Sequence, residues 1–334
     1  MKIAVVGNYT WPHYQQALLD GFNSLGSDIK AVSIILKYYP VWNLFGVLIN
    51  TLKLWKNVKE MDVNAIFLYR VDFIFPCILL ILRKLYGTKI LVYHNDDPYK
   101  KILRCKLKHI LFLRSLKHSD IAYVYRDVNV SEAYEWGASK VKLLRSYYYS
   151  KMDERATKPI DISHKEPCIV FVGHYEEDSR IHYLDALFKS EINVHIYGSP
   201  AWEKPFVAHG WPLDHLHAPI YNKEYRDRLG TAYAALAFFS EKNRDDYTRR
   251  CFEIPMAHTL LFAPQTRYMA QTFADNVNVV LFSDTEDIVK KAKSILRDPL
   301  RTNTISEAGF YFILNGEFSE IHAAQTIITD LNTL

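Results

Sequence analysis

Tyr247-Thr248-Arg249-Arg250-Cys251-Phe252-Glu253-Ile254-Pro255 lies between two apolar runs, Thr231 to Phe239 before it and Thr259 to Ala263 after it. Short continuous apolar runs are what strands buried on both faces look like. The segment between them reads as a loop opening into a short helix. Arg249, Arg250 and Glu253 then fall at the C-terminal end of a parallel strand and in the first turn of a helix, where open α/β sheets bind ligands. Guanidiniums grip a pyrophosphate bidentately, and a carboxylate accepts hydrogen bonds from a ribose diol. The same residues also fit an ion-pair cluster beside a helix start, and the stretch alone leaves both readings open.

Around it the sequence alternates strand and helix patterns. Cys168 to Val172 ends in Gly173-His174 and leads, through Arg180, into a helix to about Lys189. Ile192 to Tyr197 ends in Gly198, and further strands are expected at Leu260 and from Val277 to Leu281. The first half has the same character. Lys2 to Val6 runs into a Gly7 loop that holds His13, then a helix to about Leu25. Ile29–Ile35, Ala65–Tyr69, Lys89–Tyr93, Ile121–Tyr125 and Val141–Leu144 continue the strand series. Alternation with short connections predicts α/β architecture with doubly wound parallel sheets. The expected organisation is a Rossmann-like domain over 1–146, a linker over 147–166 holding Pro159, and a second Rossmann-like domain over 167–316. The last helix, about 317–334, has no strand after it and is expected to pack back on the first domain. Two such domains would face each other across a cleft, the default place for a ligand.

Composition narrows the classes. At 334 residues the chain is too long for one ordinary core, and its 49% apolar content fills two. A net charge of +4 does not argue for nucleic acid. The four cysteines show no CxxC pairing, which points to a reducing compartment and no structural zinc. No leader peptide is expected, and no apolar run reaches the roughly 20 residues of a membrane span. The 23 tyrosines fit carbohydrate or lipid surfaces.

In the first half, His94, Asp96 and Asp97 follow the strand that ends at Tyr93. A carboxylate here can deprotonate a hydroxyl. Asn95-Asp96-Asp97-Pro98 equally suits an Asx turn and a helix cap. His13 is a rival base.

The segment from Phe171-Val172-Gly173 through Arg180, Tyr197-Gly198, Arg250-Cys251-Phe252-Glu253-Ile254-Pro255, Phe273-Ala274-Asp275 and Val280-Leu281-Phe282 to Asp284–Asp287 resembles the CgeB-like glycosyltransferases of the GT-B fold, over about residues 168 to 325. Where that family carries a small run ending in glycine after the proline, this chain has Met256-Ala257-His258, so packing near the donor is expected to differ. The first half resembles GT-B only at the level of fold. The resemblance implies transfer of a sugar from a nucleotide-sugar to an acceptor, with the nucleotide-sugar as substrate, no further cofactor and no bound metal. It places Glu253 at the donor ribose, Gly173 with His174 near the diphosphate, Arg180 at the leaving group, and Tyr197, Gly198, Arg249 and Arg250 around the donor. His94 resembles a strand-end histidine that contacts the donor sugar. Asp96-Asp97 as the metal pair of a GT-A enzyme fits less well, because such enzymes have one nucleotide domain and this chain shows two.

The implied setting is cell-surface polysaccharide or glycoconjugate assembly in the cytoplasm, on a glycan or lipid-linked acceptor. Tyr99 to His118 carries seven Lys/Arg and no acid, with Leu103, Leu107, Ile110 and Leu111 expected as one helical stripe. With the apolar Trp42 to Val58 it suits the anionic inner face of a membrane. Two alternatives remain: a GT-B-fold nucleotide-sugar epimerase, and a non-catalytic nucleotide-binding scaffold.

Overall fold

The computed structural model describes residues 1–153 and 161–334. Part of the expected linker, including Pro159, lies outside the described residues. The chain divides into two compact units, Met1–Tyr147 with Ser319–Leu334, and Tyr148–Phe318.

The first unit holds strands β1 (Lys2–Gly7), β2 (Lys30–Ile35), β3 (Ala65–Tyr69), β4 (Lys89–His94), β5 (Ile121–Val124) and β6 (Val141–Leu143). Its helices are α1 (Gln15–Asn23), α2 (Leu44–Met61), α3 (Cys77–Tyr86), α4 (Leu103–Lys108), α5 (Ile110–Ser115) and α6 (Val128–Glu135). The second unit holds α7 (Ser150–Asp153), β7 (Glu166–Val172), α8 (Arg180–Lys189), β8 (Val194–Tyr197), α9 (Glu203–His209) and β9 (Leu216–His217). It continues through α10 (Asn222–Thr231), β10 (Ala232–Leu236), α11 (Arg250–Met256), β11 (Leu260–Pro264), α12 (Arg267–Thr272), β12 (Val280–Phe282), α13 (Thr285–Arg297) and α14 (Pro299–Asn315). The last helix, α15 (Glu320–Leu331), belongs to the first unit.

Both sheets are parallel throughout, in the orders β2-β1-β3-β4-β5-β6 and β12-β11-β10-β7-β8-β9. The expected α/β architecture is what the structure shows. Strand order reverses between β1 and β3 in one sheet and between β7 and β10 in the other. A crevice opens at such a point because the two following loops leave to opposite faces. The Gly173 loop follows β7 and the Arg249–Glu253 stretch follows β10, so the two flank the second switch point.

Several boundaries move for local reasons. Thr231 ends α10, its hydroxyl donating to the Arg228 carbonyl at 3.0 Å, so β10 starts one residue later than the apolar run. The strand expected from Val277 starts at Val280, because Asn278 turns back and accepts the Ala274 N–H at 2.9 Å. The two-residue edge strand β9 is too short to show an alternation and was not anticipated. Tyr99 to His118 is not one helix. The backbone breaks at His109, α4 buries none of its residues, and Leu103 and Leu107 are exposed rather than part of a packed stripe.

Many tyrosines are core residues instead of surface ones: Tyr69, Tyr93, Tyr123 and Tyr247 are fully buried. Tyr69 and Tyr93 meet edge to face at 4.9 Å, and the Tyr123 hydroxyl donates to Asp330 of α15 at 2.9 Å. α15 also packs on α1. A side chain at Gly21 would put its Cβ 2.5 Å from the Glu320 carbonyl oxygen.

Candidate functional site

At the second switch point the loops after β7 and β10 are tied together. The Ser240 hydroxyl donates to Glu176 at 2.7 Å, and the Ser179 N–H donates to Glu241 at 3.1 Å. Arg180 is buried, and its fork holds Asp178 through Nε at 2.6 Å and Nη2 at 2.7 Å, while Nη1 donates to the His174 carbonyl at 2.9 Å. All three guanidinium nitrogens therefore fasten the 173–180 loop. The expected reach of Arg180 to a leaving group is not the geometry found here. His174 itself is exposed.

Gly173 and Gly198 are fixed by packing. A Cβ on Gly173 would lie 2.7 Å from the Phe171 ring, and one on Gly198 2.4 Å from Trp202. Trp202 Nε1 donates to the Gly173 carbonyl at 2.9 Å, and the Gly173 N–H to the Tyr197 carbonyl at 3.0 Å. The Tyr197 hydroxyl accepts from Arg228 Nε at 2.6 Å, and Arg228 also pairs with Glu166 at 2.8 Å. The Tyr197 side chain is thus engaged with α10 rather than with the Arg249–Glu253 group.

The residues of the opening stretch do come together. Arg249 precedes α11, and its Nη1 meets Glu253 Oε1 at 2.8 Å one turn on. Its Nη2 contacts Asp153 of α7. The second oxygen of Glu253 accepts from the Tyr225 hydroxyl at 3.3 Å. Burial pushes the Asp153 carboxyl up to about 6 against the pull of Arg249, and Glu253 adds to the rise. Arg250, half-buried and next in sequence, has no hydrogen-bonded or ion-pair partner among the described residues. One arginine holds the carboxylate, and the other leaves its fork unengaged among the described residues. Asp153 escaped the sequence reading because it lies in a polar stretch read as a solvated linker.

The position where the resemblance expects glycine is His258, with φ at +51°, the left-handed region that glycine enters without strain. Its ring stacks on Phe310 at 3.8 Å.

In the first unit, Asp72, in the loop after β3, joins two histidines. Its Oδ2 lies 3.0 Å from His94 Nε2 and its Oδ1 2.9 Å from His109 Nδ1. Those ligand-type atoms lie within 4.8 Å of one another, the spacing of a metal site. The tautomer decides otherwise. His94 Nδ1 accepts the Asp96 N–H at 3.1 Å, so the ring proton sits on Nε2 and points at Asp72, leaving no lone pair there for a metal. Burial pushes the His94 imidazole below its ordinary value, against the pull of Asp72. Burial alone would raise the Asp72 carboxyl, but His94 and then His109 hold it well below the usual carboxylate range. Both nitrogens of His94 are thus used inside the unit, and the ring orients the Asp96 turn.

Asp97 is buried, with Oδ1 accepting from Asn129 at 3.1 Å and from the Tyr99 N–H at 3.3 Å. This is the turn-forming geometry expected of the Asn95-Asp96-Asp97-Pro98 run. Asp96 meets Arg70 at 2.5 Å. Burial works upward on the Asp96 carboxyl, but Arg70 above all holds it below the usual range. Arg70 has φ at +52°, a strained conformation for a side-chain-bearing residue at a strand end. His13 packs edge-on against Tyr14 at 4.3 Å in the loop after β1.

Residues 180–329 match the family described as glycosyl transferase-like. No curated protein matches the chain by sequence. Solved structures match over the whole chain. Sucrose-phosphate synthase from Thermosynechococcus elongatus has a TM-score of 0.69 at 12% identity, covering 100% of this chain and 98% of that one. Anabaena HepE in complex with UDP-glucose has a TM-score of 0.70 at 10% identity, with 100% of each chain covered. The fold is GT-B. A further match with this fold is a putative UDP-N-acetylglucosamine 2-epimerase from Listeria monocytogenes, with a TM-score of 0.62 at 9% identity over 99% and 96% of the two chains. The glycosyl transferase-like match over residues 180–329 supports an enzyme of the glycosyltransferase class.

Proposed function

We propose that the chain transfers a sugar from a UDP-sugar to a hydroxyl of a glycan or lipid-linked acceptor, in the cytoplasmic assembly of cell-surface polysaccharide or glycoconjugate. The second unit takes the nucleotide and the first takes the acceptor. The observation that carries this is the start of α11, where Arg249 and Tyr225 orient Glu253 while Arg250 stays unengaged. Glu253 accepts the ribose hydroxyls. Arg250 stabilises the diphosphate as it leaves, which lets the reaction proceed without a metal. Arg180, Gly173 and His174 act one step back, by fixing the loop that faces the phosphates. UDP is the nucleotide of choice because HepE is solved in complex with UDP and with UDP-glucose. The order of motifs from Gly173 to Asp287 supports a CgeB-like subfamily. Asp96, ion-paired with Arg70, and His13 are the candidate bases for the acceptor proton. Arg70 holds the Asp96 carboxyl below the usual range, which weakens it as a base.

A thermal-shift series with UDP, GDP, CMP, ADP and dTDP, with and without EDTA, tests the reading, since a ligand of the native state raises Tm. A shift with UDP that EDTA leaves unchanged is expected. No shift with any nucleotide sinks it. The epimerase-like match supports a second reading, in which donor alone is converted to an epimer. Incubating a UDP-sugar without acceptor separates the two. Binding with neither transfer, epimerisation nor hydrolysis would mean a nucleotide-binding scaffold.

A further inference from the structure

The helix α2 is apolar on two faces. Val47, Leu54 and Val58 turn into the core of the first unit, and Trp42, just before the helix, with Leu44, Phe45, Leu48, Ile49, Leu52 and Trp55 stand on the other side. Spacings of three, four and seven residues put the second group on one arc. These are large exposures: Trp42 is 78% and Phe45 74% accessible. The neighbouring α3 extends the surface with Leu80, Ile81 and Leu85, the last 70% accessible. Trp55 Nε1 bonds the Tyr86 hydroxyl at 3.2 Å, tying the two exposed faces together. A soluble monomer rarely leaves so many contiguous large side chains in water.

The charge around this surface is one-sided. α2 and α3 carry Lys53, Lys56, Lys59, Arg83 and Lys84 against a single acid, Glu60. Lys59 lies over the Trp55 ring at 5.9 Å, so the cationic and apolar features share the surface. Glu60 is already matched by Lys56 at 3.7 Å. No helix among the described residues is long and apolar enough to cross a membrane. A helix with this composition lies in the plane of the interface, its tryptophans at headgroup depth and its lysines against anionic lipid. A second copy would oppose cation to cation across the same face, which the charge disfavours.

We infer that the α2–α3 face is an insertion surface for an anionic bilayer. This deepens the lipid-linked acceptor reading and centres the contact on α2, which lies largely in the expected 42–58 stretch, and on α3 rather than on the 99–118 segment. Membrane contact then brings the unit proposed to take the acceptor to the leaflet where a lipid-linked acceptor resides.

The test is co-flotation of the full chain with vesicles of phosphatidylcholine alone and with phosphatidylglycerol added, at low and high salt. The parent is expected to float with the anionic vesicles only, and less at high salt. Phe45→Asp with Leu48→Asp, and separately Lys53→Glu with Lys56→Glu and Lys59→Glu, should each weaken flotation by about tenfold or more. These positions are exposed, so both variants should keep the parent's circular dichroism and its Tm response to UDP. No flotation of the parent, or undiminished flotation of both variants, overturns the proposal. So does a parent that instead forms dimers which Phe45→Asp with Leu48→Asp dissolves. A parent that floats as expected but shows no response to UDP removes the donor reading and leaves the surface standing.

Discussion

Glu253 is a carboxylate already aimed: Arg249 takes one oxygen and Tyr225 the other. Glu253→Ala should weaken UDP binding by about 1.5–3 kcal/mol, the range for hydrogen bonds to a charged group, or roughly ten- to a hundredfold by titration calorimetry. An unchanged affinity in a folded variant removes Glu253 from the site. Asp72→Asn tests the buried His94–Asp72–His109 bridge. An amide accepts from one ring and presents its own N–H to the other, so urea denaturation should show a loss of about 1.5–3 kcal/mol. The legible part of the site was the local part. Arg249, Arg250 and Glu253 lie within one helical turn, so spacing alone set them together. What stayed hidden depends on partners far away in sequence: Asp153, 96 residues from Arg249, and Arg70 and Asp72 beside Asp96 and His94. Whether a guanidinium is engaged or available is likewise a property of the fold. Arg180 and Arg250 read alike in the sequence, and only the first is spent on its own loop.

Elements with a strong apolar period were read to within a few residues, because burial on both faces leaves a plain signature in strands such as β3 and β10. Segments shaped by a single long-range contact were not. The break at His109 follows from its ring reaching Asp72, and β9 exists by pairing with β8. β9 also sets a pH dependence. His195 of β8 is pushed down to about 4 by burial first, then by His215, His217 and Arg228, with Glu166 pulling the other way. The unfolded chain takes up that proton near 6.5 and the native chain resists it, so the stability is full above 6.5 and is lost as pH falls toward 4. The urea midpoint should drop across that window, and His195→Asn should flatten the curve. The docking of α15 on α1 is tested by Gly21→Ala. The added Cβ meets backbone, which cannot swing aside, so a cost of about 1–3 kcal/mol is expected despite the better helix propensity. Equal stability would mean the two helices do not pack at Gly21.

For the molecule as a whole, α15 is a costly element to lose. It buries Ile327, Ile328 and Leu331 among others in the first unit. At about 1.5–3 kcal/mol each, these three are comparable to the total stability of a domain, about 5–15 kcal/mol. A chain ending at Phe318 should therefore show a protease-sensitive first unit beside a resistant second one. A truncated chain with both units protected would show that α15 only decorates the surface. The same connectivity bears on synthesis. The first unit's strands leave the ribosome early, but the helix that completes it follows only after residues 148–318. At roughly 5–20 residues per second that interval is on the order of 10–30 s. The half begun first is the half finished last, and through that wait its nascent α1 face is a natural target for holding chaperones.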